Sequence, residues 1–218
     1  MSEDAALSAD NEVLRFLLTR RSRPVRMLGA PWPDRAALTT ILTAAARSPD
    51  HGKLEPWRFI VLGARELDRL AALAESIAAA RTDLDPARAA KDAAALRESR
   101  RAIAVVSSPV PSEKVPEIEQ LLSAGAVCLA ALNAALAAGW GACWLTGWMA
   151  HDRRFLEEGL GLAAHERLAG FIHIGTARRV PPERPRPDLA RITDWRLAPE
   201  DEADAAPKPG SGEAGEGR

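Results

Sequence analysis

Ser48-Pro49-Asp50-His51-Gly52-Lys53-Leu54-Glu55-Pro56-Trp57-Arg58-Phe59 holds a helix stop, a polar loop and the start of a strand in one run. Upstream, Ala37, Leu38, Ile41, Leu42 and Ala45 recur at helical spacing, with Asp34 placed to cap that helix. Proline disfavours helical backbone at the residue before it, so the helix stops at Ser48. Downstream, Trp57 to Leu62 is an apolar run interrupted only by Arg58. That pattern predicts a strand covered on both faces and central in a sheet. The polar loop between them then opens at a sheet end, where side chains can meet a ligand.

Further out, Val13, Leu14, Leu17 and Leu18 predict a short helix over 11–19. Arg65 to Ala80 and Pro86 to Glu98 read as Ala/Leu-rich helices, the second with proline in its first turn. Ala102 to Ser107 reads as a buried strand. Pro116 to Ala138 is the longest helix, and its C-terminal two-thirds are apolar all round. Such a helix belongs in a large core or across a subunit interface. Strands follow at Gly141–Thr146 and Phe171–Ile174, with a short helix at His151–Glu158 between them and a last short strand at Ile192–Leu197. Irregular alternation of helices with four or five strands suggests helices on both faces of one mixed sheet. Residues 1–10 are expected to be a flexible N-terminus and 11–197 one domain; 198–218, rich in Ala, Glu, Pro and Gly, form an expected disordered tail.

The 218 residues suffice for one domain with a substantial core. A net charge of −1, with signs mixed along the chain, argues against nucleic acid or anionic lipid as a partner. Cys128 and Cys143 lack CxxC or Cys/His spacing, so no zinc site is expected and both read as core. Met-Ser-Glu-Asp-Ala-Ala lacks the basic and apolar regions of a signal peptide, and the expected location is the cytoplasm. Leu121 to Ala150 carries no charge and is long enough to span a bilayer. Its small and polar residues, and the break at Gly139-Trp140-Gly141, favour a buried helix followed by a strand over a membrane-associated helix.

Arg20-Arg21-Ser22-Arg23 puts guanidinium forks beside a hydroxyl, a set suited to phosphate. A basic helix end, favoured by the helix dipole, is the competing reading. Arg47 and His51 can donate to a ring or a ribityl chain, and Lys53 to an anionic edge; the alternative is an exposed turn. Trp140, Trp144 and Trp148 recur at every fourth position and either wall an aromatic pocket or fill core. Trp144, Leu145 and Thr146 end a strand, where amides and a hydroxyl become free to meet a ligand. His173 lies between Ile172 and Ile174 and reads as structural. No GxGxxG follows a strand, and no HExxH or GxSxG is present. A phosphate-type cluster plus a polar loop suited to a planar heterocycle implies a nucleotide-like cofactor, which FMN fits best.

Arg-Arg-Ser-x-Pro, then Ser-Pro-Asp-His with Glu-Pro-Trp-Arg-Phe, a long small-residue helix, Gly-Trp-Gly-Ala-Cys-Trp-Leu-Thr-Gly and Gly-Phe-Ile-His-Ile-Gly-Thr follow in order over Val13 to Ala177. Jointly they resemble the FMN-dependent nitroreductase family, in its compact branch of NAD(P)H nitroreductases. The resemblance implies an α+β fold, an α/β/α sandwich around a mixed, largely antiparallel sheet, in an intertwined homodimer with FMN at the interface. It implies that Arg20, Arg21 and Ser22 hold the phosphate and part of the ring edge. Arg47 and His51 would contact the flavin, His51 from the other subunit, and Trp144, Leu145 and Thr146 would line it. Residues 134–139 would meet the nicotinamide nucleotide, and 192–197 would reach over the partner. The implied activity is reduction of bound FMN by NAD(P)H and then of a nitroaromatic, quinone or similar acceptor, with no protein acid or base required. Glu55 stands where many relatives have Gln, Lys53 where some have Asn, and Leu145 where a close branch has a basic residue. These departures motivate the alternative of a flavin carrier without turnover.

Overall fold

In the computed structural model, which describes residues 11–198 and 201, local signals set the helix boundaries. Helix α1 (Glu12–Thr19) is capped by Asn11, whose side chain accepts from the Val13 and Leu14 amides. A two-residue β1 (Leu28–Gly29) precedes α2 (Arg35–Ala45), which Asp34 caps at the Ala37 amide. Strand β2 (Trp57–Gly63) leads directly into α3 (Ala64–Ala79), and α4 (Pro86–Glu98) begins on a proline behind the Asp85 cap. Then come β3 (Arg101–Ser107), α5 (Glu117–Ala137), β4 (Gly141–Leu145) and β5 (Arg167–Ala177). Between β4 and β5 the expected short helix is a 3-10 turn, Trp148–His151, and a helical segment with a π turn at Phe155–Gly159. Asp152 caps that segment at the Phe155 amide.

The chain divides after Pro181, inside its Arg/Pro-rich stretch. In the second unit, one helical turn, α6 (Leu189–Ile192), follows the Asp188 cap. The expected strand at Ile192–Leu197 is not formed: Ile192 ends that turn and 193–198 have no regular structure. The expectations for residues 1–10 and, in the tail, for 199–200 and 202–218 lie outside the described residues.

Strands β2, β3 and β5 are hydrogen-bonded in that order, and β4 pairs β5 on the side away from β3. Every pairing among the described residues is antiparallel, so the parallel part of a mixed sheet has no counterpart there. β3 is the fully buried strand, whereas β2 pairs only β3 and stands at the edge, contrary to its expected central place. A largely apolar run reports side chains that pack on both faces, not paired edges, and Val61 within it is still exposed. Trp57 and Phe59 pack into one core, Ile60 and Leu62 into the other.

Those two cores make three layers. On one face Ala102, Ala104 and Phe171 meet Leu67 and Leu70 of α3 and Ala93 and Leu96 of α4. On the other, Ile103, Val105, Ile172 and Ile174 meet Ile41 of α2 and Val127 and Ala131 of α5. Helix α5 is long and apolar enough to cross a membrane by length and composition. One side of it, from Ser123 through Val127 and Ala131 to Ala135, is buried against the sheet. Ile118, Leu122 and Leu129 are exposed on the other. Cys128 and Cys143 are free and buried, and burial pushes each thiol up to about 12. That leaves neither reactive at neutral pH.

Candidate cofactor site

Two sets of side chains lie at opposite edges of the sheet. The first begins where α1 ends. Arg20 turns the chain out of the helix, keeping its amide on the Phe16 carbonyl. The next residues run beside β4, because the Arg23 amide donates to the Ala142 carbonyl at 2.7 Å. The Val25 amide meets the Cys143 sulfur one residue further along. Arg20 Nη2 donates to Ser22 Oγ at 3.2 Å, and Arg23 Nη1 to the Arg21 carbonyl at 2.9 Å. Two guanidinium groups and a hydroxyl are thus held, half-buried, against the strand that ends in Trp144 and Leu145.

Trp144 is fixed by a defect in the neighbouring strand. Val105 pairs with Gly170 but Val106 with Leu168, so Ala169 bulges out of register. Its carbonyl accepts from Trp144 Nε1 at 3.2 Å. The indole lies against Gly170, where any Cβ would overlap the ring. Bulges commonly re-aim side chains at functional sites, and here the bulge orients Trp144. Past Thr146 the chain turns at Gly147, at φ 67° and tight against Asp92. Trp144, Leu145 and Thr146 form one wall of a cavity of about 600 Å³; Arg88, Lys91 and Asp92 of α4 face them. The three tryptophans do not share one aromatic pocket. Trp140 packs on the α2/α5 core, Trp148 is buried in the α3/α4 core, and Trp144 alone borders the cavity.

The second set is the loop after α2. Ser48 Oγ donates to the Ala45 carbonyl and closes the helix end. Ser123 of α5 donates to the Pro49 carbonyl at 2.9 Å and accepts from Trp57 Nε1 at 3.2 Å, tying loop, strand and helix together. His51 Nδ1 is 2.7 Å from Glu119 Oε2, and the Glu55 amide donates to Asp50 Oδ2 at 2.8 Å. Gly52, Lys53 and Glu55 have φ of 75°, 56° and 50°. Two non-glycine residues in the left-handed region mark stored backbone strain, which concentrates at functional loops. Arg47 is exposed and makes no ion pair among the described residues. A groove of about 500 Å³ runs from Asp50 and His51 along Glu119, Leu122 and Ser123.

Strands β3 and β5 separate the two sets. Three strand spacings put β2 roughly 14 Å from β4. The structure therefore sets Arg20, Arg21 and Ser22 beside the strand that ends in Trp144 and Leu145, although they do not line the Trp144 cavity, and it puts Arg47 and His51 at a different edge. Sequence reasoning missed Glu119 as the His51 partner and the α4 wall of the cavity. Glu119 carries no sequence signal. The α4 wall does: Arg88 and Lys91 lie off the apolar stripe Ala89, Ala93, Leu96.

Comparison with known proteins agrees with this architecture. A family model described as Nitroreductase family matches residues 17–176. The Escherichia coli (strain K12) protein named "Putative NAD(P)H nitroreductase YdjA" is 34% identical over 169 residues, covering 76% of this chain and 88% of that one. A Haemophilus influenzae protein named "Putative NAD(P)H nitroreductase" is 35% identical over 167 residues, with the same shares. A nitroreductase-like family protein from Bacillus cereus superposes with a TM-score of 0.71 at 20% identity, over 88% of this chain and 99% of that one. A Desulfovibrio desulfuricans protein, solved as a nitroreductase in complex with FMN, has a TM-score of 0.66 at 24% identity over 88% and 100%.

Proposed function

Because the chain belongs to the nitroreductase family, as a nitroreductase-type oxidoreductase, we propose that it binds FMN and uses NAD(P)H to reduce an electron-poor small molecule such as a nitroaromatic or a quinone. One observation carries this reading: the Arg20–Ser22 cluster is pinned by the Arg23–Ala142 hydrogen bond to the strand that ends at the Trp144 cavity. The donor set fits the cofactor. Guanidinium groups with a hydroxyl suit a phosphate, and an indole beside free peptide edges suits a flat polar ring. The relatives' names supply the donor class, and the Desulfovibrio complex supplies a related fold that holds FMN.

When bound, FMN supplies a two-electron store between donor and acceptor, in a ping-pong cycle. The chain's own residues bind and orient. Arg20, Arg21 and Ser22 hold the phosphate and place a positive charge near the ring edge, which favours the anionic reduced form. Trp144, held by the Ala169 carbonyl, fixes one wall, and Leu145 and Thr146 continue it at the strand end. Arg47 and His51 complete the site from a second copy of the chain, because their own β2 edge is a sheet's width away. Exposed Val13 and Leu17 on α1 and Ile118 and Leu122 on α5 suit that homodimer. A cytoplasmic location goes with this reading.

The test is the visible spectrum of the purified protein after FMN addition and desalting, repeated anaerobically with NADPH or NADH. A retained flavin that bleaches and is reoxidised by a nitroaromatic or quinone is the expected result. A retained flavin that stays oxidised would indicate a carrier, and a colourless folded protein would overturn the assignment of FMN.

A further inference from the structure

The Trp144 cavity has a charged wall that the reaction above does not use. Helix α4 buries Ala89, Ala93 and Leu96 in the α3/α4 core, so its opposite side is held in a fixed orientation. Arg88 and Lys91, three residues apart, share that outer face and line the cavity opposite Trp144 and Thr146. Asp92 lines it too, but its carboxylate is engaged at the turn: Oδ2 accepts from the Trp148 amide at 3.4 Å and crowds Gly147.

The other arginines around α4 are neutralised locally. Arg81 pairs with Asp83 and Asp152, Arg97 with Glu75, and Arg100 with Asp68. Arg88 and Lys91 make no ion pair among the described residues, and they are the two that face the cavity. At about 600 Å³ the cavity is of the size that takes a small organic molecule. One long side is aromatic and peptide edge; the other carries two cations without ion-pair partners among the described residues, beside the single carboxylate of Asp92, for a net positive wall.

We propose that Arg88 and Lys91 are specificity-determining residues that bind an anionic group, a carboxylate, sulfonate or phosphate, on the planar molecule reacting at this site. This rests on the function proposed above for the ring against which that molecule lies. The anion belongs either to the electron acceptor or to the phosphates of the nicotinamide donor, and both present the same chemistry to α4. Guanidinium and ammonium groups on one helix face would steer such a molecule in and set which end points at the ring.

The experiment compares para-nitrobenzoate with para-nitrobenzamide, nearly equal in shape and different in charge, on the FMN-loaded wild type and on an Arg88→Gln, Lys91→Gln double variant. Both positions are exposed on a helix surface and glutamine is a good helix former, so the variant should fold. Arg97→Gln, on the same helix but paired with Glu75, is the control. Binding is read from the flavin spectrum and, on full-length protein without flavin, by calorimetry. The expected result is a preference for the benzoate of roughly tenfold in the wild type and the control, weakened by salt and lost in the double variant, with amide binding unchanged.

If the anion is the donor's, the two nitro compounds bind alike. The double variant then needs roughly tenfold more NADPH for half-maximal flavin reduction, while an N-benzyl dihydronicotinamide lacking phosphate is unaffected. If neither the nitro pair nor the donor pair separates wild type from variant, Arg88 and Lys91 are solvated surface charges and the inference fails. Retained flavin and bleaching would leave the proposed function intact in that case. Conversely, a charge preference seen by calorimetry in a protein that will not hold FMN would sink the proposed function and keep the anion site.

Discussion

Lys53 and Glu55 hold φ of 56° and 50° in the loop between α2 and β2, a region that costs a residue with a side chain roughly 1 kcal/mol or more. Glycine would relieve that cost at Lys53, partly offset by a freer unfolded chain. Lys53→Gly is expected to raise stability by roughly 0.5–1 kcal/mol, read as a higher urea midpoint with an unchanged slope. An unchanged or lower midpoint would show that Lys53 makes compensating contacts. His173 stores a different cost. It is buried between strands with Nδ1 unpartnered, and burial pushes its imidazole down to about 4 from the usual 6.5. The folded protein then binds fewer protons than the unfolded chain between those values. Stability is therefore full above about pH 6.5 and falls as the pH drops toward 4, by up to roughly 3 kcal/mol. His173→Leu should flatten this part of the pH–stability curve, measured by denaturant melts at about pH 7.5 and about pH 5, on either side of the usual imidazole value. If the slope survives, the proton goes elsewhere.

At the scale of elements, the loop into β5 is tied to β2 by one carboxylate. Glu166 Oε1 and Oε2 accept from Arg58 Nε and Nη2 at 2.7 and 2.8 Å, and Oε2 also accepts from the Ala163 amide. The Arg58 bonds, with help from that amide, hold the Glu166 carboxyl down at about 2, below its ordinary 4.5. A depressed carboxyl contributes stability that is complete above pH 4.5 and lost as the pH falls toward 2. Glu166→Gln should cost about 2 kcal/mol at neutral pH, a value kept modest because Arg58 is 41% exposed. The gap to wild type should close between pH 4.5 and 2; a gap that persists at pH 2 would mean the loss is packing and not charge.

What the sequence made legible follows from the range of each interaction. Caps and stops are local, and Asp34, Asn11 and Pro86 fix their helices where their spacing implies. Edges are not local: β2 reads as central because it is apolar on both faces, while its partner count depends on where β3 and β5 lie. The site divides the same way. Trp144–Thr146 at a strand end was readable, and the polar face of α4 left a signal in its spacing, but the Ala169 bulge that aims Trp144 and the placing of that α4 face across the cavity exist only after folding.

For the whole molecule, the proposed function requires two sets of side chains on opposite edges of one sheet to serve one cofactor. A two-fold dimer meets that requirement if the β4 edge of one copy faces the His51 loop of the other, and the exposed apolar residues of α1 and α5 give such a dimer a surface to bury. Mixing variants tests this without disrupting the fold. One variant carries Arg20→Ala and Arg21→Ala; the other carries Arg47→Ala and His51→Ala. Each alone should elute as a dimer and retain little FMN after desalting. Co-refolded in equal amounts, half of the dimers are mixed by chance. In each mixed dimer one site pairs two damaged sets and the other pairs two intact ones. Flavin retention should then return to about a quarter of the wild-type value, the statistical yield for a site shared across a two-fold axis. If both sets served one flavin within a single chain, every site in every mixed dimer would lack one set, and mixing would restore nothing. A return near one quarter therefore assigns His51 and Arg47 to the partner's flavin, and a flat result assigns them to their own.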